Sequence, residues 1–302
     1  MKSAGDPTLR WDPPAFSFYA RISAMADRNF RELLGAQWDE GKFLCVGLDS
    51  DLEKIPECAK QGDARKTLVA FNHAIIDATR DLVCAYKLNS AFYEAAGDGR
   101  FSALRDTIEY IHQVAPDVPV ILDAKRADIG NTNEGYVKSA FGYLEADAIT
   151  VHPYLGREAL EPFLARKERG VFVLCRSSNP GAGEFQDLKV DGEELYKIVA
   201  RHVADEWNGN GNCGLVVGAT YPAELAHVRT IASDMPILIP GIGAQGGDLQ
   251  KTVAAGKDAR GTGFIIAVAR AVIFASSGAD YAAAARKKAE ELHGAIGAAL
   301  VE

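Results

Sequence analysis

Eight short apolar runs recur along the chain: Phe43–Leu48, Leu82–Leu88, Val118–Leu122, Ala146–Val151, Val171–Leu174, Gly214–Val217, Ile237–Ile239 and Phe264–Val268. Each is close to continuous in apolar residues and lacks a polar residue at every second place. A strand with one wet face alternates, whereas a strand covered on both faces need not. Between the runs lie segments whose apolar residues return at helical spacing. In Ala64–Thr79 these are Leu68, Ala70, Phe71, Ile75 and Ile76. Phe101–Val114 and Glu193–Trp207 read alike, and Tyr281–Leu300 is alanine-rich with Arg286, Lys287 and Lys288 exposed. Strand followed by helix, eight times over, predicts an α/β protein of the (β/α)8 TIM-barrel class. An open doubly wound sheet is the alternative.

No linker rich in Pro, Gly or Ser divides the chain, so a single domain is expected, and 302 residues suit one barrel. The first 20 residues stand apart. They carry Asp6, Pro7, Arg10, Asp12, Pro13 and Pro14, have no apolar signal core, and read as an N-terminal extension to a barrel over 21–302. No apolar stretch approaches the roughly 18 residues of a membrane span. The five cysteines, Cys45, Cys58, Cys84, Cys175 and Cys213, form no CxxC and fit reduced thiols of a cytoplasmic protein. A net charge of −8 argues against nucleic acid as a partner, since that would call for a basic patch. It leaves room for a small anionic ligand at a locally basic site.

In a barrel of this class the chemistry sits where strands end, at their C-terminal mouth. The residues that follow the apolar runs are unusual. Asp49 follows the first, Lys87 and Asn89 close the second, and Asp123, Lys125 and Asp128 follow the third. His152 follows the fourth, as a structural residue or a wall of the site. Ser177, Ser178 and Asn179 follow the fifth, in the polar loop "RSSNPGAGEFQ". One acid or lysine at a strand end is commonly a salt bridge; five of them at one mouth suggest a site. Acids and lysines that alternate can hold each other charged where burial alone would neutralise them. A lysine kept as an ammonium is both a positioned acid and a cation for developing negative charge. A Schiff-base lysine must become neutral, which flanking acids oppose. Three acids could hold Mg²⁺, but two lysines among them would repel it, so no metal is expected. The loop "PGIGAQGG" (Pro240–Gly247) joins the seventh run to a helix, and Arg270 follows the eighth. In barrels these two places commonly form a phosphate site, and arginine suits phosphate. Gln245 could reach the ligand from that loop.

The string "DAKRADIGNT" resembles the DxKxxDI signature of the orotidine 5'-phosphate decarboxylase family, in particular its longer bacterial-type branch, where DAKRGDIG is followed by threonine. Ala127 stands where that branch carries glycine, in the link that aims Asp128. The resemblance continues in order through "FLCVGLD", "YKLNSAFYE", "TVHPYLG", "RSSNPGAGEFQ", "VVGAT", "PGIGAQGG" and "ARAVIFA", most of the chain beyond the first 20 or so residues. It implies decarboxylation of orotidine 5'-monophosphate (OMP) to UMP, the last step of pyrimidine biosynthesis, with no cofactor or metal. By the resemblance Lys125 donates a proton to C6 of the pyrimidine. Asp123 and Asp128 flank it and Lys87 completes the charged array. Asp49 and Asn89 hold the ribose or its surroundings, Ser178 reads the pyrimidine edge, and Gln245 and Arg270 grip the phosphate. The family is a homodimer with shared sites, which implies that Asp128, Ile129 and Thr132 reach into the partner's site. Two alternatives stand beside it: a related Mg²⁺-dependent sugar-phosphate decarboxylase with a similar string, and a catalytically silent nucleotide-binding barrel.

Overall fold

The apolar runs become eight parallel strands: β1 (Leu44–Gly47), β2 (Val83–Asn89), β3 (Val120–Arg126), β4 (Ala148–Val151), β5 (Gly170–Arg176), β6 (Cys213–Val217), β7 (Ile237–Pro240) and β8 (Phe264–Val268). The structure is a computed structural model that describes residues 28–95, 100–243 and 246–301. The expected extension 1–20 and Gln245 lie outside the described residues. Each strand pairs with the strands before and after it in the chain, and β8 closes on β1. Helices Ala64–Thr79, Arg100–Val114, Gly130–Val137, Gly156–Leu164, Leu195–Arg201, Pro222–Ala232, Leu249–Gly256 and Tyr281–Val301 follow the strands in turn. The fold is the expected (β/α)8 barrel. No described helix is long and apolar enough to cross a membrane.

The strands differ from the apolar runs by one or two residues at most ends, and the largest difference is at the C-terminal end of β3. β3 continues from Leu122 through Asp123, Ala124, Lys125 and Arg126, because its last side chains meet a polar cavity rather than the core. Glu193–Trp207 is not one helix. Glu193–Glu194 pairs antiparallel with Lys189–Val190 across a turn in which Asp191 and Gly192 both take positive φ, 53° and 87°, the backbone of a tight hairpin. The helix starts at Leu195, and a wider π-helical turn spans His202–Trp207.

The opposite, N-terminal end of the barrel is plugged by a helix the apolar runs did not reveal, Phe30–Asp39, capped by the Asn29 side chain. The Phe30 ring meets Phe172 edge-on at 5.5 Å, and Phe43 stacks on Phe264 at 4.6 Å. Glycine is required beside this plug. A Cβ on Gly170 would fall 2.4 Å from the Phe30 ring, and one on Gly214 would fall 2.6 Å from Phe172. Trp38 Nε1 donates to the Phe264 carbonyl at 3.1 Å. These side chains fill the lower barrel.

Candidate active site

A cavity of about 320 Å³ opens at that mouth, lined by Asp49, Lys87, Asp123, Lys125, Thr150, Ser178 and Arg270 among others. The first four form an unbroken chain of alternating charge. Lys87 Nζ lies 3.2 Å from Asp49 Oδ1 and 2.9 Å from Asp123 Oδ2, and Lys125 Nζ lies 2.7 Å from Asp123 Oδ1. Barrel register produces this arrangement: Gly47 pairs with Lys87, and Asn89 with Asp123, so successive strands set their polar ends at one level. The wall beyond is apolar, with Leu174, Val216, Leu238 and Ala267 facing the same space.

Burial differs along the array, and that decides roles. The Lys87 side chain is 7% exposed and the Lys125 side chain 48%. Burial works to lower the Lys87 ammonium's pKa, but Asp123 and Asp49 overcome it and hold the group well above the ordinary lysine range. Burial works to raise the Asp123 carboxyl's pKa; Lys87 and Lys125 overcome that and hold it well below the ordinary carboxylate range. Lys87 and Asp123 thus hold each other ionised, and the only well-exposed end of the array is Lys125.

Local structure aims that end. Register between β3 and β4 shifts between Leu122 and Arg126, and Lys125 takes a φ of +46°. A non-glycine residue in the left-handed region costs roughly 1–3 kcal/mol and persists only where its surroundings hold it. Thr150 on β4 is such a hold: its hydroxyl accepts the Lys125 N–H at 3.0 Å and donates to Asp123 Oδ1 at 2.9 Å. Asp49 is steadied from behind. Tyr93 donates to the carbonyl of Leu48 at 3.0 Å, and Ser50 donates to Asn72 at 2.6 Å, in a buried network that Asn72 continues to Thr107.

The other expected site residues are placed as follows. Ser178 lines the cavity with Ser177 and Asn179. Their loop is tied at its base by Arg176, which is ion-paired to Asp187 at 3.0 Å and lies over the Tyr221 ring. Gln186 returns to the Ser177 N–H at 2.8 Å. Arg270 lines the cavity opposite, beside Gly241 and Ile242 of the glycine-rich loop. Gly241 and Gly243 take φ of 114° and 87°, which the loop's reversal requires and only glycine adopts freely. Asn89 does not line the cavity; its side chain accepts the Ala91 N–H at 3.1 Å and caps the helix Ser90–Glu94. Asp128, Ile129 and Thr132 lie outside the cavity of this chain, on the rim that leads into Gly130–Val137, with Ile129 60% exposed. Arg126 turns away from the array to pair with Glu94 and to lie 5.2 Å from the Tyr136 ring. His152 accepts the Tyr154 N–H.

Thr150, Arg176 and the Ser50–Asn72–Tyr93 network were not singled out from the sequence. Thr150 left one usable signal, a polar residue inside an otherwise apolar barrel strand.

No cluster of His, Cys, Asp or Glu suited to a metal occurs among the described residues. The donor set explains why: Asp123 gives Oδ1 to Lys125 and Thr150 and Oδ2 to Lys87. A divalent ion between Asp49 and Asp123 would have to displace an ammonium.

Comparison with known proteins agrees with this geometry. The sequence profile of the "Orotidine 5'-phosphate decarboxylase / HUMPS family" matches residues 42–287. The orotidine 5'-phosphate decarboxylase of Cellvibrio japonicus (strain Ueda107) is 50% identical over 272 residues, 90% of this chain and 99% of that one. That of Roseiflexus castenholzii (strain DSM 13941 / HLO8) is 52% identical over 275 residues, 90% of this chain and 98% of that one. The solved structure of Leishmania donovani OMP decarboxylase superposes with a TM-score of 0.76 at 39% identity, covering 89% of this chain and 98% of its own. With a profile that spans nearly the whole barrel and half-identical relatives matched end to end, the chain belongs to the orotidine 5'-phosphate decarboxylase / HUMPS family.

Proposed function

We propose that the chain decarboxylates OMP to UMP, with Lys125 as the proton donor to C6. The observation that carries this reading is the alternating Asp49–Lys87–Asp123–Lys125 array with its exposed lysine end at the cavity. Breaking the bond from C6 to the carboxylate leaves an electron pair on a vinylic carbon with no conjugated sink. An ammonium already fixed beside that carbon stabilises the pair as it forms. Its N–H bond then breaks and the proton goes to C6, CO₂ leaves, and Lys125 is recharged from water. Asp123 has no free rotation to offer, since each oxygen already accepts a hydrogen bond. Asp123 therefore acts through its fixed negative charge, which holds Lys87 protonated and lies 2.7 Å from the Lys125 amine nitrogen.

The remaining groups bind. Arg270 and the backbone around Gly241–Gly243 suit the 5'-phosphate, with Gln245 from the same loop. Asp49 faces the ribose and Ser178 the pyrimidine edge. Asn89 supports the ribose side through the helix it caps. Phosphate contacts lie far from the reacting bond, so their binding energy can hold the loops closed while chemistry proceeds. The working unit is a homodimer in which Asp128, Ile129 and Thr132 complete the site of the neighbouring subunit. Its support is the exposure of large apolar side chains on the loops after β3 and β4: Ile129 at 60%, Tyr154 at 89% and Leu155 at 41%. Residues 21–302 form the catalytic domain and residues 1–20 an extension to it. A reducing cytoplasm suits the five free cysteines, four of them buried.

The deciding assay follows the loss of OMP absorbance with purified full-length protein in the presence of EDTA. Turnover with UMP as product is expected. No turnover, or turnover that EDTA abolishes, overturns the reading.

A further inference from the structure

Pairing between β3 and β4 is regular as far as Leu122 with Ile149 and resumes at Arg126 with Val151. In between, Asp123, Ala124 and Lys125 face the single residue Thr150. The backbone N–H of Lys125 therefore has no strand carbonyl to meet. Its partner is the Thr150 hydroxyl, at 3.0 Å. Thr150 is 1% exposed, and its hydroxyl directs its own proton to Asp123 Oδ1, at 2.9 Å. One oxygen atom thus fixes the backbone of the proposed proton donor and the carboxylate that its side chain contacts.

We infer that Thr150 is a positioning residue for the proposed decarboxylation: through one hydroxyl it sets the left-handed backbone of Lys125 and the rotation of the Asp123 carboxylate. The inference rests on the reading above and adds a residue to it. Thr150 does not donate to substrate, because its proton is committed to Asp123. Without the hydroxyl, Asp123 Oδ1 keeps only Lys125 and can follow that flexible side chain. Lys125 in turn loses the link that holds its N–H against β4. The phosphate and base contacts, on the loops after β5, β7 and β8, are untouched.

The test compares Thr150→Val, which keeps shape and removes the hydroxyl, with Thr150→Ser, which keeps the hydroxyl and removes a methyl. Purified proteins are assayed for kcat and KM with OMP, for UMP affinity by calorimetry, and for melting temperature. For Thr150→Val, kcat falls roughly ten- to a hundredfold, the scale set by a small misplacement of a reacting group. KM and UMP affinity stay within about threefold, since ground-state contacts remain. Thr150→Ser recovers most of kcat. If Thr150→Val does not fold, Thr150→Ala poses the same question without added bulk. Wild-type kcat in the hydroxyl-free variant overturns the inference. So does a Ser variant as impaired as the Val variant, or a loss of UMP affinity that matches the loss of kcat. Absence of turnover by the wild-type chain would instead overturn the reading on which it rests.

Discussion

Replacing Lys87 by methionine keeps a chain of similar length and removes the buried charge that Asp49 and Asp123 share. At an effective dielectric of about 20, each contact is an attraction of about 5–6 kcal/mol at the distances of 3.2 and 2.9 Å. Most of that is offset in the native protein by the cost of dehydrating the ammonium. The variant escapes that cost but leaves two carboxylates facing each other without their common cation. Breaking a buried pair in this way destabilises by about 3–5 kcal/mol, or roughly 10 °C in melting temperature for a chain of this size. The effect carries a pH signature. In the native array the Asp123 carboxyl is held below its ordinary range, so its stabilising contribution is present above the unfolded value near pH 4. That contribution is lost only as pH falls through the depressed folded value. In Lys87→Met the folded value rises, and ionised Asp123 becomes a penalty at neutral pH that protonation relieves. Thermal melts from pH 7 down to pH 4 therefore show a wide gap between wild type and variant at pH 7 that narrows toward pH 4. Equal melting temperatures at pH 7, or a gap that does not change with pH, would refute the reasoning that Lys87 is held by the two buried carboxylates.

Lys125→Ala removes the exposed end of the array and leaves Lys87 with both its carboxylates. It is expected to melt close to wild type and to lose roughly four orders of magnitude or more in kcat; substantial residual turnover would place the proton donor elsewhere. Shared sites predict complementation when Lys125→Ala and Asp128→Ala are co-expressed. Half the dimers are then mixed, and one of the two sites in each is intact, so about a quarter of wild-type activity returns. Mixed dimers verified by native mass spectrometry but inactive would refute the crossing of Asp128.

Much of the barrel is legible from apolar runs because a strand buried on both faces leaves a continuous hydrophobic trace. Phe264–Val268 and Ala64–Thr79 even have the expected limits. The trace fails where side chains leave the core: β3 runs four residues beyond Leu122 because Asp123 and Lys125 face a cavity. It fails also for Phe30–Asp39, whose apolar side answers the barrel floor and not a strand of its own. Six of the site residues expected from strand ends and motif do line one cavity, because strand ends in a closed barrel have nowhere else to converge. Asn89 shows the limit of that argument, since position at a strand end does not say whether a side chain turns inward or caps the next helix. Thr150 shows another: its role comes from a register shift and a positive φ on the neighbouring strand, neither of which is a property of local sequence.

The unequal exposure of the two lysines has a consequence for how a catalytic cycle is refilled. Asp49, Lys87, Asp123 and Lys125 together are electrically neutral: two cations against two anions. On the proposed mechanism, once Lys125 gives up its proton the array is left with one uncompensated negative charge, next to a product that is itself an anion. Lys87 is enclosed between its carboxylates and largely shut off from water. Lys125 meets water, and so the proposed mechanism draws the hydrogen that ends on carbon from solvent one turnover at a time. The same deficit repels the product until it is made good. Release and recharging are thereby tied to a single solvent-facing nitrogen, while the inner three groups keep their charge from one cycle to the next.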